Sequence, residues 1–203
     1  MPSSKASAAT PRDPTPAGST IDFVRVGAAF CEVSARQPEG FRVRLGGLFR
    51  PVWLSALCSG LASHRVSIDE AHARLTPDGS WIAELCVVPE DPSLELDAAK
   101  YIDLANTSYS HSSPPRLINY ELGLSADHGG TLKLTLEALD RLGLLGGLLT
   151  VLGGLALYPV EMHIATRDAC AYDCLWLAQM GATRPSATAR RALDRLLSDA
   201  IQG

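Results

Sequence analysis

FRVRLGGLFRPVWLSALCSGLASHRVSIDEAH, residues 41–72, lies without a gap over LKLTLEALDRLGLLGGLLTVLGGLALYPVEMH, residues 132–163, at a constant offset of 91. The two runs are identical at Leu45/Leu136, Leu48/Leu139, Arg50/Arg141, Leu54/Leu145, Leu57/Leu148, Leu61/Leu152, Glu70/Glu161 and His72/His163. Their apolar patterns agree further. Phe41, Val43 and Leu45 alternate as Leu132, Leu134 and Leu136 do, and both runs then pass from the period of a strand to that of a helix. A strand followed by a helix, written twice, makes the chain a tandem of one small α/β unit.

Working outward, the first copy reads as a strand at 41–45 and a helix opened by Pro51, with Leu54, Leu57, Cys58 and Leu61 on its apolar face. A hairpin follows, 66–75 and 81–88, closed by Pro77-Asp78-Gly79. Asp91-Pro92 predicts the N-cap and first turn of a second helix, and a strand is expected at 117–124. The order is βαββαβ. The second copy gives a strand at 131–137, a helix at 142–155, strands at 157–166 and 170–178, and a helix at 186–201, after which the sequence stops. That leaves it one strand short, while an apolar segment, 21–33, precedes the first copy. The count predicts that this N-terminal strand completes the second unit and closes its edge at 131–137.

The sequence of 203 residues is 46% hydrophobic, enough for two small cores. Its net charge of −4 and the lack of any Lys/Arg cluster argue against a nucleic-acid partner. Residues 1–18 read as a disordered Pro/Ser-rich tail and not a secretory signal, so a cytoplasmic location is expected. The five cysteines fall in apolar stretches and read as inert thiols; Cys170 and Cys174, four apart on a strand, stand roughly 13 Å apart, beyond disulfide reach. Seventeen uncharged residues, 142–158, fall short of the ~20 of a membrane span. The outer face of that helix, with Leu144, Gly147, Val151 and Gly154, has no polar cover. A neighbouring helix is expected on it, from the sister unit or from a second chain as partner or homo-oligomer.

The run from Leu136 through Asp140-Arg141-Leu142-Gly143-Leu144-Leu145, followed by Ile164-Ala165-Thr166-Arg167 and Ala171-Tyr172-Asp173-Cys174-Leu175, resembles the ACT domain. The likeness is nearest to the subclass of the nitrogen-signalling uridylyltransferases, where an Asp-Arg-Pro-Gly-Leu-Leu turn opens the first helix. Leu142 stands in place of the family's Pro. The first copy keeps Arg50-Pro51 but has Phe49 and Val52 where the family has Asp and Gly. A tandem pair with no catalytic partner is similar in architecture to the glycine-cleavage repressor group.

The resemblance implies an α+β protein of two ferredoxin-like ACT-type units, 37–127 and 128–203, preceded by the strand region 19–36, with sheets joined edge to edge. It also implies a regulatory module that binds an amino acid or similar small ligand at an interface between units. Asp140, Arg141, Leu142, Gly143, Leu144 and Arg50 are the ligand-binding candidates. The physical basis lies in the unpaired amides and positive dipole end of a helix N-terminus, which Gly143 leaves open to a carboxylate. Asp140 serves either as a helix cap or as acceptor for a ligand ammonium, and Arg141 either as a carboxylate clamp or as a solvated side chain.

Glu70-x-His72 and Glu161-x-His163 place both side chains of each pair on one strand face. If the two strands meet across a twofold, these groups could converge on a metal or ligand. A plain polar strand face writes the same letters, and that reading is preferred, so no metal and no cofactor are expected. No P-loop, nucleophile elbow, zinc-protease helix or CxxC pair is present, and no catalytic residue is nominated. The expectation is a non-enzymatic sensor; the alternative is an interaction scaffold that has lost its ligand.

Overall fold

The computed structural model describes residues 22–94, 96–107 and 115–202; the tail expected over 1–18 lies outside the described residues. The chain opens with a hairpin, β1 (Asp22–Val26) and β2 (Ala29–Ala35), turned at Gly27. The first half continues through β3 (Phe41–Gly47), α1 (Trp53–Ser63), β4 (Val66–Leu75), β5 (Trp81–Pro89) and α2 (Ala98–Asn106). The second half runs β6 (Leu117–Ser125), β7 (Thr131–Leu139), α3 (Leu144–Gly154), β8 (Leu157–Arg167), β9 (Cys170–Gln179) and α4 (Ala187–Gln202). The strands form one antiparallel sheet in the order β1-β2-β3-β5-β4-β8-β9-β7-β6.

Strand alternation explains why a single sheet has one dry and one wet face. Leu132, Leu134, Leu136 and Ala138 of β7 are buried while Lys133 is exposed, and β9 buries Ala171, Asp173, Leu175 and Leu177 between less buried neighbours. The inward side chains merge with Leu54, Leu57, Leu61, Leu148 and Leu152 of the helices into one core.

The repeat survives in detail. Beta-bulges fall at Ile68/Glu70 and at Pro159/Glu161, and the non-glycine left-handed residues Arg65 (φ 56°) and Ala156 (φ 55°) turn the same helix-to-strand corner in each half. The halves join edge to edge through β4 and β8, where His72 pairs with His163. These are equivalent residues, so the pseudo-twofold passes between them. On the buried face α1 packs on α3. A Cβ on Gly146 would lie 2.9 Å from Ser59 Oγ and 3.1 Å from the Ser59 amide nitrogen, so this glycine sets how closely the helices approach. The helix from the sister half meets α3 at Gly146; of the face expected to be covered, Leu144 and Gly147 are buried while Val151 is half-buried and Gly154 exposed.

Two expectations are corrected. The N-terminal segment does not complete the second unit: it splits at Gly27 into β1 and β2, and β2 pairs with β3 of its own half, while β6 pairs with β7. The first half is therefore βββαββα and the second ββαββα, not βαββαβ. Both outer pairings are local hairpins, whose short loops close at less entropic cost than a link across the chain. The second helix does not start at Asp91. Asp91 accepts from the Ser93 amide (2.9 Å) in a turn, and α2 begins at Ala98. Asp97 caps it by accepting from the Lys100 amide, and Asp22 of β1 accepts from the Ala98 amide at 2.7 Å, so two carboxylates sit where the helix dipole favours them.

Candidate functional site at the turn into helix α3

Gly143 takes a left-handed conformation (φ 84°) immediately before α3, and no side chain caps the helix. A residue with a side chain would be strained there and would stand over the helix end. The preceding turn is held by backbone bonds, the Asp140 amide donating to Ala169 O (2.9 Å) and the Leu144 amide to Arg141 O (3.0 Å). The Gly147 amide reaches back to Gly143 O at 2.9 Å.

This turn forms one wall of a cavity of ≈ 40 Å³ between the halves. Asp140, Arg141, Leu142, Gly143 and Leu144 all line it, whereas Arg50 does not. Arg50 instead donates from Nη2 to Asn106 O at 2.9 Å, tying the first-half turn to the end of α2. The opposite wall comes from the first half, through Cys58 of α1 and Val66, Ser67 and Ile68 of β4. At ≈ 40 Å³ the cavity is small, with room for about three water-sized groups at roughly 10–15 Å³ each.

The residue that the sequence reading left without a role is Asp173. It projects inward from β9, is 3% exposed, lines the cavity, and its Oδ1 has no hydrogen-bond partner. Burial, aided by the nearby Asp140 charge, pushes its carboxyl up to about 7. Asp140 is also raised, chiefly by desolvation, against the lowering effect of the Arg141 amide; Asp69, on the β4 bulge, adds to the rise. The available signal was a lone acid at a strand position whose period-two neighbours, Ala171, Leu175 and Leu177, all face the core.

The equivalent place in the first half is filled. Val52 (φ −93°) stands for Gly143 and Phe49 for Asp140; Trp53 replaces Leu144, stacking on Phe49 at 4.7 Å and meeting Trp81 edge-on at 5.6 Å. Leu45 pairs with Ala83 as Leu136 pairs with Asp173, so alanine stands where the buried acid would be.

On the open face of the sheet the two sequence-nominated Glu-His pairs behave differently. His72, His163 and Glu161 come together; Glu70 lies opposite Ala165 and stays apart. His163 Nε2 is 3.0 Å from Glu161 Oε1, His72 Nε2 is 3.9 Å from the same oxygen, and His128 Nε2 is 3.3 Å from Oε2. Partial burial raises the Glu161 carboxyl, but the His163 hydrogen bond and the His128 and His163 charges outweigh it and leave it below its usual range.

Among the described residues, no helix is long and apolar enough to cross a membrane. Compared with protein-family models, with curated proteins and with solved structures, the chain finds no match in any of the three.

Proposed function

We propose that the chain is a non-enzymatic regulatory sensor built from two ACT-like halves, in each of which the strand beside the first core strand precedes the βαββα core instead of following it, binding one small amino-acid-like ligand in the cleft between them. The observation that carries this reading is Asp173, a buried carboxylate with an unpartnered oxygen, lining a cavity at an uncapped helix N-terminus. The first-turn amides of α3 present partial positive charge to a ligand carboxylate, and Asp173, with Asp140 at the rim, presents an acceptor to a ligand ammonium. A zwitterionic α-amino acid carries both groups a few ångströms apart. The small cavity takes the head group and leaves the side chain at the mouth beside Arg141 and Leu142.

A scaffold without a ligand is the second reading, favoured by the first-half turn, where Trp53 and Trp81 fill the equivalent space. Thermal denaturation of the full chain at pH 8 against each of the twenty amino acids separates the two. A sensor gains about 2.7 kcal/mol at 100 times the dissociation constant. That gain should disappear in Gly143→Leu, and no shift with any amino acid would favour the scaffold.

A further inference from the structure

We propose that His72, His163 and Glu161 form a site for one divalent transition-metal ion of the Zn²⁺ class on the open face of the sheet, at the seam between β4 and β8. Three of the chain's five histidines gather around this one glutamate. The donor atoms of His72, His163 and Glu161 all lie within 4.8 Å of one another. Bonds of about 2.0–2.2 Å to a tetrahedral ion place its ligand atoms roughly 3.3–3.6 Å apart. The observed 3.0 and 3.9 Å from Glu161 Oε1 to the two imidazoles straddle that spacing.

The sheet explains why the donors meet. His72 and His163 are directly paired residues of adjacent antiparallel strands, and Glu161 shares its face with His163 two residues on. The imidazoles stack at 4.3 Å with their planes 28° apart, so they must splay for both Nε2 lone pairs to aim at one ion. Their exposed side chains, 47% and 51% accessible, leave room for that rotation.

His128 acts as a positioning residue. Its ring stacks on Trp176 at 4.5 Å, and its Nδ1 meets Ser125 Oγ at 3.1 Å. This fixes the ring with Nε2 toward Glu161 Oε2, and leaves Oε1 to the ion. Two imidazoles and a carboxylate suit Zn²⁺, Co²⁺ or Ni²⁺ and are poor ligands for Mg²⁺ or Ca²⁺, which demand all-oxygen shells. Three protein donors leave a fourth position for water. Because the donors come from both halves, the ion would staple the seam.

The test is titration of the full chain, free of any oligohistidine tag and kept reduced, with CoCl2 and ZnCl2 by calorimetry, with the Co²⁺ visible spectrum recorded in parallel. One equivalent should bind, with a four-coordinate nitrogen/oxygen spectrum. His163→Gln, His72→Gln and Glu161→Gln should each weaken binding at least tenfold with an unchanged circular dichroism spectrum. His128→Gln should weaken it less, and His64→Gln, at the C-cap of α1, should leave it unchanged. No stoichiometric binding by the native chain would overturn the site, as would undiminished binding in the His163 and Glu161 variants.

Discussion

The turns into α1 and α3 occupy equivalent places in the two halves, yet they are built from opposite materials. Into α3 the chain carries Asp140 and a left-handed Gly143, over an inward Asp173; into α1 it carries Phe49 and Val52, over an inward Ala83. In the second half the helix end faces a small cavity holding an unsatisfied acid, and in the first the space is taken by Trp53 and Trp81. A filled turn stabilises by apolar burial, and an open one sacrifices some of that stability to keep a polar group dry. Of two equivalent turns, one is packed as core and the other is left open on a cavity.

The largest expected effect concerns the outer hairpins. Deleting residues 1–35 removes β1 and β2, with buried Cys31 and Val33 and the Asp22 cap on α2, and should cost on the order of 5 kcal/mol. Amide exchange should rise first in β3 and α2 of the first half. The strand Thr131–Leu139 should stay protected because β6 covers it; the reverse pattern would sink the hairpin assignment.

Asp173→Asn comes next. A carboxyl raised from 3.8 to about 7 on folding leaves stability intact below the unfolded value and loses it as pH climbs between the two. At pH 8 the ligand-free variant should therefore be more stable than the native chain, by up to about 4 kcal/mol if the whole shift is expressed. The gain should shrink toward zero near pH 4, as urea denaturation across that range can show. Ligand binding has the opposite sign, since an ammonium pairs with the ionised form. Affinity should fall about tenfold per unit below pH 7.

Gly146→Val should cost about 1–3 kcal/mol, because the new Cβ meets the Ser59 backbone at 3.1 Å and α1 must retreat. Its thermal unfolding would show whether the halves depend on this contact. The smallest effect is Val52→Gly, worth a few tenths of a kcal/mol on stability. It should create no second site, because the tryptophans still fill the space and Ala83 supplies no acid. Calorimetry returning two ligands per chain would contradict that.

Much of this architecture was legible in the letters. Helix and strand periods located β4, α3, β8 and β9 within a residue or two, because each is a long run with a single dominant period. The turn at Asp140–Leu144 was singled out on other grounds, the likeness of Asp140, Arg141 and Gly143 to the turn that opens the first helix of an ACT domain. Ownership of the outer strands was hidden, since 21–33 reads as one apolar segment until Gly27 divides it and strand pairing is a tertiary choice. The start of α2 was misplaced because Asp91-Pro92 and Asp97 both carry capping chemistry, and only packing selects between them. The alternation of β9 places Asp173 on the inward face, but the cavity it lines joins residues of α1, β4 and the α3 turn, and that juxtaposition is tertiary.

The most direct test of the asymmetry between the two turns is amide chemical-shift mapping of the uniformly ¹⁵N-labelled full chain, titrated with whichever amino acid gives the largest thermal shift. Saturating shifts are expected at Gly143–Gly146 and, across the cleft, at Ser67 and Ile68, with Trp53–Ala56 unmoved and one ligand bound. Shifts centred on the α1 turn, or none at the α3 turn, would contradict a single site at the open helix end.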